Sequence, residues 1–453
     1  MPSVNQRLRV AIIGAGPAGL ATLLALHKVP GVDVQVYEQA RELKEVGAGI
    51  SLHWNSWTVL DLLGVPPIPP ESFHRNEKYR NEHWDGKTGE LIKGQADDPD
   101  CPELKRHVRT PRYRLQQALV APAPAERIHL KKRLKSLETL VGTIEVKLVF
   151  EDGEETVVDL VVGADGIRSV VRAHTFPSFR ITYSGTTGYR CIFPLSRLSH
   201  IPDVPLKTVF WHGLAPDVKG KGKGMTSLFT TPIGDGLFEV SGRGPVEQKE
   251  GEEDGSWGRG ARKEEMRELF VEYHPTAKAI IDAIPEETLG KYPFWGGIAL
   301  DTVVANGNVA LLGDASHPLS GAYGSGAAFA LEDAWTLSQS ISYSLSHSLP
   351  LAEALRLFDE TRSPYYGELF GELRRVGKAS RKGEGLGWGE RVRDRMEERW
   401  GELRWVYHRD IVADWQATLA RELAKNTPLV VDMAHGTVSA PPAPPVEPVA
   451  VSA

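Results

Sequence analysis

Cysteine is scarce in this chain, with only Cys101 and Cys191 among 453 residues. That excludes a disulfide framework as the source of stability. One bridge is arithmetically available, but two cysteines in so long a chain read as reduced thiols of a cytosolic-type compartment. Long apolar runs are missing too. No stretch approaches the ~20 residues of a membrane span, and the early run Val10-Ala11-Ile12-Ile13 is interrupted by Gly14 too soon for a secretory leader. No block of basic residues occurs and the net charge is −6, so a nucleic-acid partner has no electrostatic support. A soluble, cytoplasmic protein is expected, as a monomer or homodimer.

The composition is otherwise ordinary, at 41% hydrophobic and 25% charged, and supplies a sizeable core. The length predicts two joined lobes, or one α/β body with an inserted layer. Val10 to Ile13 reads as a strand buried on both faces. Leu20, Leu23, Leu24 and Leu26 then recur at helical spacing, and Asp33 to Tyr37 forms a second strand ending at Glu38. Further on, Ile144 to Phe150 and Val157 to Val162 flank a Glu151-Asp152-Gly153 turn and read as paired strands. From Ile181 to Phe238 short β segments alternate with turns. Residues 242–264 are charged and glycine-rich and predict a mobile surface loop. Val303 to Leu312 returns to strand, and helices are expected over Gly326 to Ser344 and Leu351 to Leu369. The tail from Ala440 is proline-rich and predicts disorder.

Three motifs carry chemistry. In the first, Gly14-Ala15-Gly16-Pro17-Ala18-Gly19, Gly14 permits a tight turn, Gly16 lets a pyrophosphate approach, and Gly19 lets helix and strand pack. The helix start supplies N–H groups and a positive dipole end, and Glu38, at the end of the second strand, can accept from ribose hydroxyls. This motif alone does not separate FAD from NAD. The second is Gly163-Ala164-Asp165-Gly166, followed by Arg172. The third is Gly313-Asp314-Ala315-Ser316-His317-Pro318 with Gly324-Ser325-Gly326-Ala327. Here a strand ends at an acid, and a small-residue loop opens a helix whose start faces negative charge. A second strand-embedded GxGxxG is absent.

In this order the motifs resemble those of the single-component FAD-dependent aromatic hydroxylases, the salicylate hydroxylase / para-hydroxybenzoate hydroxylase family, over about residues 8–370. The resemblance implies a Rossmann-like FAD-binding domain of the glutathione-reductase-like type, an interleaved β-sheet substrate domain and C-terminal helices. The implied division gives FAD-binding parts at 1–72, 103–178 and 299–372, and substrate parts at 73–102 and 179–298. A helical region at 373–438 and a tail at 439–453 complete it. Implied FAD contacts are Gly14, Gly16, Ala18, Gly19, Glu38, Gly49 and Ser51 of the Gly47-Ala48-Gly49-Ile50 segment, Arg112, Asp165, Gly166, Asp314, Pro318, Gly324, Gly326 and Ala327; no metal is implied.

The implied activity is NAD(P)H- and O2-dependent hydroxylation of a phenolic ring through a flavin C4a-hydroperoxide, with oxidative decarboxylation where the substrate is a hydroxybenzoate. Arg190 is the candidate that lowers a phenol's pKa or holds a carboxylate. Thr231 stands before Pro232 where some relatives carry a tyrosine, and is a candidate hydrogen-bond partner of substrate. His317 reads as structural, and His212 and Tyr183 as weaker candidates. The segment Trp400 to Asp414 reads as a helix packed on the flavin domain. An FAD-dependent oxidase or epoxidase of secondary metabolism on the same scaffold is the competing reading.

Overall fold

The computed structural model describes residues 7–43, 48–215, 224–247, 258–319, 321–379, 390, 403–425, 430–432 and 437–439. The first apolar run becomes strand β1 (Leu8–Ile13), followed by helix α1 (Pro17–Leu26) and strand β2 (Val32–Tyr37). β1 pairs in parallel with β2, Ile12 opposite Val36, and on its other side with a later strand, Leu160–Gly163, Ile12 opposite Val162. Burial on both faces explains the continuous apolar runs Val10 to Ile13 and Leu160 to Val162, whereas β2 alternates, with Asp33 and Gln35 only half-buried.

The early chain continues through β3 (Gly49–Leu52), helix α2 (Trp54–Leu63), β4 (Asn81–Asp85), β5 (Leu91–Gln95), β6 (Val108–Pro111), helix α3 (Arg112–Val120) and β7 (Ile128–His129). A meander follows, comprising β8 (Leu134–Thr139), β9 (Val146–Phe150) and β10 (Glu155–Val158). The run Val157 to Val162 is therefore two strands in two sheets, β10 and β11 (Leu160–Gly163). The break is Asp159, whose carboxylate accepts from Arg9 N at 2.8 Å and Arg9 Nη2 at 2.6 Å. After a short helix, α4 (Val170–Thr175), comes the largest β region: β12 (Thr182–Pro194), β13 (Val209–Leu214), β14 (Met225–Gly234), β15 (Leu237–Pro245), β16 (Arg259–Gly260) and β17 (Gly290–Gly296). Helices α5 (Lys263–Leu269) and α6 (Pro275–Asp282) lie between the last two strands. The chain then returns to the first sheet as a hairpin, β18 (Val304–Ala305) and β19 (Val309–Leu311), before α7 (Gly326–Ser346) and α8 (Leu351–Ala379). α8 runs through residue 372, so the boundary expected there falls inside one helix.

Two sheets dominate. One is six-stranded, ordered β18-β19-β11-β1-β2-β7, and parallel except for the β18 edge; α1 and α7 pack together beside it. The other is eight-stranded, ordered β16-β17-β12-β15-β14-β13-β4-β5. One of its faces carries Tyr189, Cys191, Phe193, Trp211, Leu228, Phe238 and Val240 onto Met266, Phe270 and Ile280 of α5 and α6, forming a separate core. Both cysteines are buried and unbonded.

The loop expected over 242–264 is corrected at its start: Gly242 to Pro245 close β15. A Cβ on Gly242 would meet Phe270 at 2.7 Å, and one on Gly244 would meet Leu269 at 2.9 Å. The glycines mark a helix lying close on the strand, not a turn. Arg259–Gly260 pairs with β17, and the loop's middle lies outside the described residues. So does the tail from Ala440. No helix of the described residues is long and apolar enough to cross a membrane.

The glycine turn after β1 is fixed by crowding. A Cβ on Gly19 would stand 1.9 Å from Gly14 O, whereas one on Gly16 would meet nothing within 4 Å. Gly19→Ala must displace backbone and should destabilise the fold by about 3 kcal/mol. Gly16→Ala should change it by no more than about 1 kcal/mol. Thermal unfolding of the two cofactor-free variants measures the contrast; equal midpoints would refute it.

Candidate active site

The two sheets enclose a cavity of about 410 Å³. Its base is formed where β1, β11 and β19 end, by Gly16, Ala18, Gly166 and Asp314. Its roof is the second face of the eight-stranded sheet. Along β15 the residues Glu239, Ser241 and Arg243 alternate with core residues and line the cavity. Phe210 and His212 of β13, and Ser227 and Phe229 of β14, do the same. A second space of about 420 Å³ adjoins it across His212, Ser227, Arg243, Phe294 and Leu319.

Two buried helices of the six-stranded lobe start at the cavity. α1 is entered through Gly16 and α7 through Ser325, and no side chain caps either start. Ser325 Oγ is buried with no hydrogen-bond partner among the described residues. Uncapped N–H groups and two positive dipole ends converge on one space, which suits an anionic ligand. The open side of Gly16 offers room for it. These features fit the pyrophosphate and isoalloxazine ends of FAD.

Asp333, from α7, holds the third motif from behind. Its Oδ2 accepts from Gly313 N at 2.9 Å and lies 3.0 Å from His317 Nε2; its Oδ1 accepts from Arg362 Nε at 2.8 Å and from the Tyr366 hydroxyl. Burial pushes this carboxyl up, but the Arg362 guanidinium and the bond from His317 more than offset it and hold it at about 2. Glu332 takes Arg362 Nη2 at 2.9 Å, and burial raises its own pKa. Arg172 joins the second motif to the third: Nη1 donates to Asp314 O and Ala315 O at 3.1 and 2.9 Å, and Nη2 to Ile167 O. Asp165 Oδ2 accepts from Val170 N and Val171 N at the start of α4.

The far end of the cavity is aromatic and cationic. Arg190, at mid-β12, lies over the rings of Tyr292 and Phe294, each centroid 5.6 Å away, with no carboxylate at ion-pair distance among the described residues. Burial lowers its pKa from the usual arginine value. Arg109 of β6 is paired with Glu239, whose Oε1 also accepts from Gly49 N at 3.0 Å. His53 stacks between His107, at 4.5 Å, and Tyr407, at 4.1 Å. Burial, with further repulsion from its cationic neighbours, pushes both imidazoles well below the ordinary histidine value, so they are neutral at neutral pH.

A model of the FAD binding domain matches residues 7–188. The 6-hydroxynicotinate 3-monooxygenase of Pseudomonas fluorescens is 30% identical over 365 residues, covering 78% of this chain and 87% of that one. The chain belongs to the FAD-dependent aromatic hydroxylase family. The salicylate hydroxylase of Pseudomonas putida is 28% identical, over 79% of this chain and 82% of that one. In fold, HpxO of Klebsiella pneumoniae complexed with FAD and uric acid superposes with a TM-score of 0.71 at 22% identity, over 91% of this chain and 97% of that one. As a member, this hydroxylase is an FAD-dependent monooxygenase with NAD(P)H as co-substrate.

The hydroxylase gathers many of the expected residues at one cavity: Gly16, Ala18, Gly49, Ser51, Arg112, Gly166, Arg190, Asp314, Gly324, Gly326 and Ala327 all line it. Gly14 and Gly19 shape the turn from within. Glu38 clamps that turn, accepting from Ala15 N and Ala40 N at 2.7 Å each, and Pro318 lines the adjoining space. Thr231 is a correction. It is fully buried, its hydroxyl 2.8 Å from Thr208 Oγ1, and Thr208 takes the place on the wall. Tyr183 also stays off the wall, its hydroxyl donating to Val246 O at 2.8 Å. His212 does line the cavity, with Nε2 2.9 Å from His83 Nδ1. Sequence reasoning missed Arg109 with Glu239, His53 with His107, and Tyr407. Glu239 stands out within Leu237-Phe238-Glu239-Val240 as an acid in an apolar strand, and that signal was available.

Replacing Asp333 tests the buried network. Asp333→Asn leaves a buried guanidinium short of charge and should cost about 3–5 kcal/mol. The usual aspartate pKa is about 3.9, so the depressed native value stabilises the fold above that pH and ceases to as pH falls toward 2. Denaturant unfolding should show the wild-type advantage narrowing between pH 5 and pH 3. A gap independent of pH would refute the assignment.

Proposed function

We propose that this monooxygenase hydroxylates a planar aromatic ring carrying both a hydroxyl and a carboxylate, and that Arg190 binds the anionic end. The observation that supports the reading is the imbalance of charge on the cavity roof. Arg109 already has Glu239 for a counter-ion, while Arg190 faces the cavity over the rings of Tyr292 and Phe294, with no carboxylate at ion-pair distance among the described residues. A guanidinium so placed pairs with a carboxylate or phenolate in bidentate fashion. The relatives named above act on 6-hydroxynicotinate and salicylate, which both carry those two groups.

Bound FAD supplies hydride acceptance from NAD(P)H and the activation of O2. The chain's part is positional. Gly14, Gly16, Ala18, Gly19 and Glu38 would take the ADP end, with Asp165 and Gly166 nearby. Asp314 would take the ribityl chain, and Gly49, Ser51, Arg112, Pro318, Gly324, Gly326 and Ala327 would surround the ring. The uncapped start of α7 would favour negative charge on the part of the ring held beside it. Phe210, Phe229 and Phe294 keep water from the reacting carbon. Neutral His53 adds no competing cation to Arg190. In this reading residues 1–72, 103–178 and 299–372 serve the cofactor, and 73–102 and 179–298 serve the substrate. The support is that β4 and β5 share a sheet with β12 to β17.

NAD(P)H oxidation should accelerate with hydroxybenzoates or hydroxynicotinates and far less with their methyl esters. Arg190→Ala should raise KM for the acid by roughly 30- to 100-fold, the loss of a charge-assisted pair, and leave the ester unaffected. Equal losses with acid and ester would remove Arg190 from substrate binding.

A further inference from the structure

Near its C-terminal end the chain crosses back over the cavity. Leu403 to Arg409 form a strap, including one helical turn at Arg404–Tyr407, that contacts the loop between β5 and β6, the start of α2, α8 and the loop before α7. Arg404 Nε lies 2.9 Å from Asp98 Oδ2 and Arg404 Nη2 3.2 Å from Asp100 Oδ2, which ties the strap to the loop between β5 and β6. Val406 O accepts from Asn55 Nδ2 at 3.3 Å, and Asn55 in turn bonds Glu332 of the buried network. Trp405 meets Tyr365 edge-on at 5.8 Å, and Arg409 lies 3.8 Å over the same ring.

Tyr407 is the strap residue that reaches the cavity. Its ring stacks on His53, and Arg80 lies 4.5 Å over it. Its hydroxyl donates to Tyr323 O at 3.0 Å. Tyr323 has φ +62°, and Gly321 and Gly324 beside it have φ +69° and +66°. A tyrosine held at positive φ persists only where its surroundings fix it. Two bonds do so here: Tyr407 to the Tyr323 carbonyl, and the Tyr323 hydroxyl to Leu369 O at 2.9 Å. This loop leads directly into the uncapped start of α7.

We propose that Tyr407 is a positioning residue for hydroxylation, its hydroxyl fixing the 321–324 loop and its ring fixing His53, so that the strap sets the shape of the cavity's substrate end. The role rests on the reading of the cavity given above. When the loop loosens, the hydride of NAD(P)H and one proton from solvent end on O2 as H2O2, leaving NAD(P)+ and no new bond to substrate carbon.

Two variants separate the hydroxyl from the ring. Tyr407→Phe keeps the stack and removes the bond. Amide exchange over residues 322–325 should rise roughly three- to tenfold, the fraction of NAD(P)H oxidised that appears as H2O2 should increase, and KM should stay within about twofold. Tyr407→Leu removes the stack too, and should add a KM increase of roughly tenfold. Unchanged loop exchange and unchanged coupling in Tyr407→Phe would overturn the proposal. So would a Tyr407→Leu variant that differs from wild type in thermal midpoint alone. Exchange is read without turnover, so it decides the role of Tyr407 even if the wild-type enzyme hydroxylates none of the aromatic acids offered.

Discussion

Asp333 keeps a negative charge where no solvent reaches it, and that requirement organises much of the molecule. An ionised carboxylate in such a place must have its oxygens filled and its charge matched. Gly313 N and His317 fill one oxygen; Arg362 and Tyr366 fill the other. The four partners come from three places: the turn after β19, the loop beyond it, and α8, which supplies both Arg362 and Tyr366. Satisfying one acid therefore locks the turn that presents Asp314 and the loop that leads toward α7. Arg172 extends the lock to the second motif through the carbonyls of Asp314 and Ala315. The motifs that face the cavity are held by groups that never see it.

The eight-stranded sheet solves a different problem with one repeating pattern. Alternate residues pack on α5 and α6, and their neighbours form the cavity roof. A roof of this kind needs aromatic area to exclude water and a controlled number of charges. Glu239 neutralises Arg109 within the wall, while Arg190 lines the cavity without a carboxylate at ion-pair distance among the described residues. Specificity on such a surface is a matter of which charge is already answered.

The cofactor end was the more legible part. Gly14 to Gly19, the strands around them and the acid at position 38 are consecutive in sequence, and a local motif carries its geometry with it. Arg190 could be picked out as a cation among apolar neighbours on a strand. Ser241 and Arg243 could not, because polar alternation looks the same whether a strand faces solvent or an enclosed cavity. The division of Val157 to Val162 depended on Asp159 meeting Arg9, 150 residues away, and the glycines of β15 marked a helix contact where a surface loop was expected. Thr231 keeps the same strand parity as Ser227 and Phe229, yet Thr208 stands between it and the cavity. Register alone does not say which residue of a face reaches the ligand.

The strap has a consequence for the order in which the enzyme is made. Both sheets and both glycine-bearing helix starts are complete by residue 346, some sixty residues before Tyr407 is added. Domains fold as the chain emerges during synthesis, so the nascent protein has a cofactor cradle before it has the residue that shuts it. The wall over His53 is thus completed by a segment made after both sheets and both helix starts.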